Sequence, residues 1–213
     1  SVALNVTATN TTGPGYLTVF PCGTTPPTAS NVNFTGAGQT TPNAVVSKLG
    51  TGGKVCVYAL TTTDVIVDVA GFFPAADGFA PLATPARLLD TRPGQPTVDG
   101  VASGGGAIVG GTVLQVPVGG RAGLPTGAAS VALNVTATNT TGPGYLTLFP
   151  CGQTAPTASN VNYTAAGQTT PNAVISRLGT DGKVCVYALT TTDVIIDVAG
   201  FFPAADGFAP LAA

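Results

Sequence analysis

The chain predicts an all-β protein, an antiparallel β-sandwich of the immunoglobulin-like or jelly-roll-like kind, built as a tandem repeat with a 129-residue period. Three observations carry this. Short stretches that alternate apolar and polar residues recur about every ten residues. No stretch shows the 3.6-residue period of a helix. Residues 1–84 return as residues 130–213 with ten substitutions in 84 positions, the mark of units that stack on one another.

Taken in order, residues 1–10 (SVALNVTATN) set Val2, Leu4, Val6 and Ala8 on one face and Ala3, Asn5, Thr7 and Thr9 on the other, a half-buried strand. TTGPG follows as turn chemistry, so residues 16–20 are expected to return as a hairpin partner. Pro21 has no N–H and ends that ladder. Residues 22–29 loop over one end of the sheet, and 30–35 form a short strand with Val32 and Phe34 aligned. Residues 44–49 (AVVSKL) make the next strand, and 54–60 (KVCVYAL) are expected to pair with it across the glycine turn at 50–53. The most hydrophobic run, 64–73 (DVIVDVAGFF), reads as a central strand with Val65, Val67 and Val69 on one face.

A Pro-rich run from 74 to 96 then carries RLLDTRPG (87–94), and residues 112–118 read as one more strand. The expected division is a first copy over 1–77, a connector over 78–111 and a second copy over 112–213. Two assignments of the 112–118 strand stay open. Either a complete unit runs from 78 to 206 and the first copy lacks a strand, or the strand folds back on the first copy. In both cases one sheet keeps an unpaired edge, which invites strand addition by a neighbour. Ser1 opens inside a strand-like run, so the chain is expected to be a piece of a longer precursor.

The copies also form an internal comparison. Val19 becomes Leu148, Phe34 becomes Tyr163, Val46 becomes Ile175, Lys48 becomes Arg177 and Val67 becomes Ile196, each keeping volume, ring or charge. The less conservative pairs, Thr24 and Gln153, Pro26 and Ala155, Gly36 and Ala165, Gly52 and Asp181, fall in stretches that read as solvated turns.

Composition narrows the function. Charged residues make up 8% of the chain against about 25% in ordinary domains, so polarity comes from Thr, Asn, Ser and backbone, as in extracellular β proteins. The net charge of −2 and the scattered Lys and Arg exclude a nucleic-acid footprint. No apolar run reaches membrane-spanning length, so no membrane insertion is expected. Four cysteines fall two per copy, and the expected disulfides are Cys22 with Cys56 and Cys151 with Cys185. Free buried thiols or a metal are the alternatives, and two thiols with no His leave a zinc ion short of ligands. Pairing implies an oxidising compartment.

With no His and no Glu in the chain, the usual triads and paired-Glu chemistry are excluded, and neither enzyme activity nor a cofactor is expected. Asp64 and Asp68 share a strand face but stand ~13 Å apart at the normal rise, too far to share an ion. One ligand each in a calcium site is the alternative, without a DxDxDG loop behind it. GTGGKV at 50–55 and GGGAIVGG at 104–111 lack phosphate-loop spacing. Arg87, Asp90 and Arg92 form the densest charge cluster. A structural ion pair is expected, with Asp90 or Asp197 holding an arginine where the connector meets the sandwich and Asp68 as the first-copy counterpart; ligand recognition is the rival role. Asn5, Asn10, Asn33, Asn134, Asn139 and Asn162 stand in N-x-Thr sequons, open to glycosylation.

The strings VALNVTATNTTGPGYLTLFPCG, VDVAGFFP and RLLDTRPG together resemble tandem modules of large secreted and surface-attached actinobacterial proteins, often appended to cell-wall hydrolases or peptidases. The resemblance spans essentially the whole chain. It implies an extracellular accessory or stalk module with a β-sandwich fold, and no catalytic residues. The expected role is therefore a structural module of an extracellular stalk, filament or surface layer, whose partners are copies of itself or neighbouring repeats. The alternative is a module that binds cell-wall or environmental glycans. It would need an aromatic platform, for which Tyr16, Tyr58 and Phe20, repeated as Tyr145, Tyr187 and Phe149, are the candidates.

Overall fold

Alternating apolar residues commit a strand to burying one face, and two such sheets bury those faces against each other. The computed structural model, which describes residues 1–73 and 78–203, is all-β with four antiparallel sheets. The first unit has β1 (Val2–Thr9), β2 (Gly15–Pro21), β3 (Val32–Phe34), β4 (Thr41–Ser47), β5 (Val55–Ala59) and β6 (Asp64–Phe72). They form two three-stranded sheets, ordered β4-β1-β6 and β3-β2-β5. The second unit has β7 (Ala80–Asp90), β8 (Thr112–Pro117), β9 (Ala128–Thr138), β10 (Gly144–Pro150), β11 (Val161–Tyr163), β12 (Thr170–Arg177), β13 (Lys183–Ala188) and β14 (Asp193–Pro203). Its sheets are four-stranded, ordered β12-β9-β14-β7 and β11-β10-β13-β8. The expected ends of the two copies, at residues 77 and 213, lie outside the described residues.

Two expected pairings are corrected. β2 does not return beside β1: β1 pairs with β4 and β6, while β2 pairs with β3 and β5. TTGPG instead carries the chain from one sheet to the other, with Asn10 at φ 50 and the Thr12 N–H donating to the Thr62 carbonyl at 3.0 Å. β4 and β5 likewise lie in opposite sheets. The glycines at 50–53 serve this crossing, because Gly50 rides on the end of β2 where a Cβ would collide with the backbone of Cys22. In the second copy Asp181 takes the left-handed conformation of Gly52, at φ 58, which Asp tolerates better than most residues.

Residues 80–90, within the stretch expected as connector, form β7 and pair with β14, while β8 pairs with β13. Both strands complete the second unit. β7 is an edge strand and so accommodates Pro81 and Pro85. Residues 64–73, expected as a central strand, hold β6, which stands at an edge because no strand among the described residues covers its far side; only the counterpart β14 is central.

The consequence appears in the two cores. Among the described residues the second unit buries a cluster of 22 apolar side chains, with Leu88, Ile108, Val116, Val118 and Leu124 among those from residues 78–129; the cluster of the first holds eight, among them Leu4, Val6, Leu17, Val19 and Phe34. Val186, Val194, Ile196 and Val198 are fully buried, yet their counterparts Val57, Val65, Val67 and Val69 are 38, 40, 42 and 71% exposed.

Both disulfides are formed, Cys22–Cys56 and Cys151–Cys185, each with Cα atoms 4.9 Å apart, tying the end of β2 to β5 and the end of β10 to β13. They fit an oxidising, extracellular environment. No helix among the described residues is long and apolar enough to cross a membrane.

The loop after β7 is held by Arg121, which donates to Asp99 at 2.8 and 2.7 Å, to Val101 O at 2.9 Å and to Pro117 O at 2.7 Å. The Arg121 hydrogen bond holds the Asp99 carboxyl down at about 2, from an ordinary 3.8. A depressed folded-state pKa stabilises the fold above the unfolded value and loses that stabilisation as pH falls through the folded one. Asp99→Asn is therefore expected to cost up to ~1 kcal/mol at neutral pH for this partly exposed pair. Its melting deficit relative to the unsubstituted chain should close between pH 4 and about 2, read by thermal melts across that range.

Candidate functional site: the junction between units

The two units meet through a polar network framed by aromatic rings. The segment before β3 presents Ser30 and Asn31, β4 presents Asn43, and the facing unit presents Asn134 on β9, Asp197 on β14 and the main chain of Ala173 on β12. Asn43 Nδ2 donates to Asn134 Oδ1 at 2.7 Å, and the Ala173 N–H donates to Asn43 Oδ1 at 3.1 Å. Asn134 Nδ2 donates to Ser30 O at 2.5 Å, and the Ser30 N–H donates to Asp197 Oδ2 at 3.0 Å. The side chains of Ser30, Asn31, Asn43, Asn134 and Asp197 are all buried. Buried polar groups are costly unless paired, so these reciprocal bonds set one register between units. Beside them Phe73 packs on Phe79 and Phe202, with ring centres 5.1 and 6.3 Å away.

Asp197 also receives Arg87, whose Nε and Nη2 lie 2.9 and 3.3 Å from its two oxygens, while Arg87 Nη1 reaches Asp90 at 3.1 Å. Arg92 also closes on Asp90, its Nε and Nη2 at 2.9 and 2.7 Å from the two oxygens, so that Oδ2 accepts from both arginines. Burial pushes the Asp197 carboxyl up, against the pull of the Arg87 guanidinium and the Ser30 amide. Burial also draws the Arg87 guanidinium down, but Asp197 and Asp90 more than restore it, so it stays a cation.

Arg87, Asp90, Arg92 and Asp197 thus come together as one ion-pair cluster. Asp68 does not join it: it is exposed on β6 and meets no cation among the described residues. Asp64 accepts from Asn10 at 2.9 Å, as Asp193 does from Asn139. No group of three or more Cys, Asp, Glu or His that could hold a metal occurs among the described residues.

Of the six sequon asparagines, Asn5, Asn10, Asn139 and Asn162 are exposed. Asn33 and Asn134 are buried in the junction with their amides engaged, Asn33 on Ser30 Oγ and Asn134 on Ser30 O, so a glycan on either would require the junction to open. Of the aromatic candidates, Phe20 and Phe149 are buried, the latter against the Cys151–Cys185 disulfide. Tyr16–Tyr58 and Tyr145–Tyr187 remain as tilted pairs with centres 6.1 Å apart.

Sequence reasoning missed Ser30, Asn31 and Asn43. No sequence signal marks them, because the second copy carries the same three residues as Ser159, Asn160 and Asn172 without a facing unit. Comparison of the chain with protein-family models, with curated proteins and with solved structures finds no match.

Proposed function

We propose that the chain is a non-catalytic structural module of an extracellular stalk, filament or surface layer, in which sandwiches of a 129-residue tandem repeat stack head to tail. The observation that carries this is the asymmetry of the junction. One unit contributes Ser30 and Asn43, the latter steadied by the Asn31 carbonyl; the other contributes Asn134 and Asp197. Each unit owns both faces, and the unused counterparts stand open: Ser159 and Asn172 on the second unit, Asn5 and Asp68 on the first, are all exposed. The free face is already organised, since Asn172 Nδ2 donates to Asn160 O at 2.7 Å just as Asn43 does to Asn31 O at 2.6 Å. A heterologous contact that does not close on itself propagates.

The disulfides and the likeness to modules of secreted actinobacterial proteins agree with an extracellular setting, and any glycans belong on the exposed sequons. A glycan-binding role keeps only the tyrosine pairs, whose tilt of about 45° makes a poor flat platform. Small-angle scattering on chains of increasing repeat number tests the reading. The maximum dimension should grow by one constant step per added 129-residue period, and Asn43→Ala with Asn134→Ala should abolish the fixed step. A collapsed particle with no constant step, or saturable glycan binding by a single unit, would overturn it.

A further inference from the structure

We infer that the open side of the first unit is a docking site for one occupant, a segment with the sequence of residues 78–129 adjoining Ser1, which adds a strand to each sheet and closes the core. The two units share their sequence over this side, and the second shows what covers it. There β7 lies along β14 and β8 along β13. The same segment adds bonds outside the strands. Thr91 N–H donates to Val194 O at 3.1 Å and Ile108 N–H to Thr192 O at 2.9 Å; Gly111 N–H donates to Ala188 O at 2.8 Å and Val118 N–H to Gly182 O at 3.1 Å. The groups that would accept these in the first unit are the carbonyls of Val65, Thr63, Ala59 and Gly53, on the edges left open by β5 and β6.

Three further features match the same occupant. Leu88, Val116 and Val118 are buried against residues whose counterparts Val57, Val65 and Val67 face solvent. Asp68 occupies the place of Asp197 without an arginine, the partner that Arg87 supplies in the second unit. Gly119 passes so close over Gly182 that a Cβ there would sit 3.3 Å from the Gly119 Cα, whereas a Cβ on Gly53 would meet nothing within 4 Å. The link is short enough, because Ala129 leads directly into Ser130 and Ser1 holds the equivalent place. This completion is independent of whether finished units form a stalk: a chain that closes its core yet never extends in fixed steps would leave it standing and remove only the proposed function.

The test grafts a second copy of residues 78–129 in front of Ser1 and follows amide hydrogen exchange by NMR. Exchange at Val57, Val65 and Val67 should slow by about 100-fold or more, toward the rates of Val186, Val194 and Ile196 in the same molecule, which report that the second unit is intact. A graft carrying L88D and V116D should leave the fast exchange in place. Unchanged exchange with the unsubstituted graft would overturn the inference. So would sedimentation of the parent chain as a dimer that already protects these amides, which would make a second copy the occupant.

Discussion

Asp197→Ala is expected to cost the second unit about 3–5 kcal/mol, while Asp68→Ala, the same residue one period earlier, should stay within about 0.5 kcal/mol. The difference lies wholly in surroundings. Asp197 is buried with both oxygens on Arg87 and one also on the Ser30 amide; its removal strands a buried guanidinium with only Asp90, which Arg92 already engages. Asp68 faces solvent, so alanine there leaves nothing unpaired. Replacing the pair together, Arg87→Met with Asp197→Leu, should recover most of the loss, since a buried ion pair exchanged for apolar volume is often neutral. It should not restore the junction, because the Ser30 N–H still lacks its acceptor. Urea denaturation of the four chains measures all of this. Equal losses at positions 68 and 197 would show that the first unit hides its aspartate as the second does.

The readable and unreadable parts of this fold separate along a physical line. Strand positions followed from alternation, and the cysteine pairs from their even number and equal spacing, because both are written locally. Strand partners were not. Alternation decides which face of a strand is buried and leaves its neighbour free, so β1 and β2 look like a hairpin although TTGPG, with Asn10 in the left-handed region, passes the chain to the opposite sheet. β7 was obscured by Pro81 and Pro85, which argue against a central strand but are compatible with an edge. The junction could not be read at all: Asn43 is buried and Asn172 exposed although the residues around them are nearly the same. What distinguishes them is that, among the described residues, Asn43 has a unit packed against it and Asn172 does not.

That same context sets the response to reduction. The first unit is expected to lose its fold under a thiol reductant at temperatures the second survives. Each disulfide closes a loop of the same 34-residue separation, so the chain-entropy contribution is equal, about 3–4 kcal/mol each. What remains afterwards is unequal, because among the described residues the first unit keeps a core cluster of eight side chains and the second one of 22, against folding free energies of only about 5–15 kcal/mol for ordinary domains. Calorimetry of Cys22→Ala with Cys56→Ala should therefore show the lower transition falling by about 15–30 °C, as a loss of this size does in a small domain. Cys151→Ala with Cys185→Ala should shift the upper transition by roughly half as much, since melting temperature responds less steeply in a larger domain. The opposite result is equally readable. If either pair moves one shared transition by the same amount, the Asn43–Asn134 and Ser30–Asp197 contacts couple the units strongly enough that they melt as one, and the junction contributes more to stability than the open side of the first unit takes away.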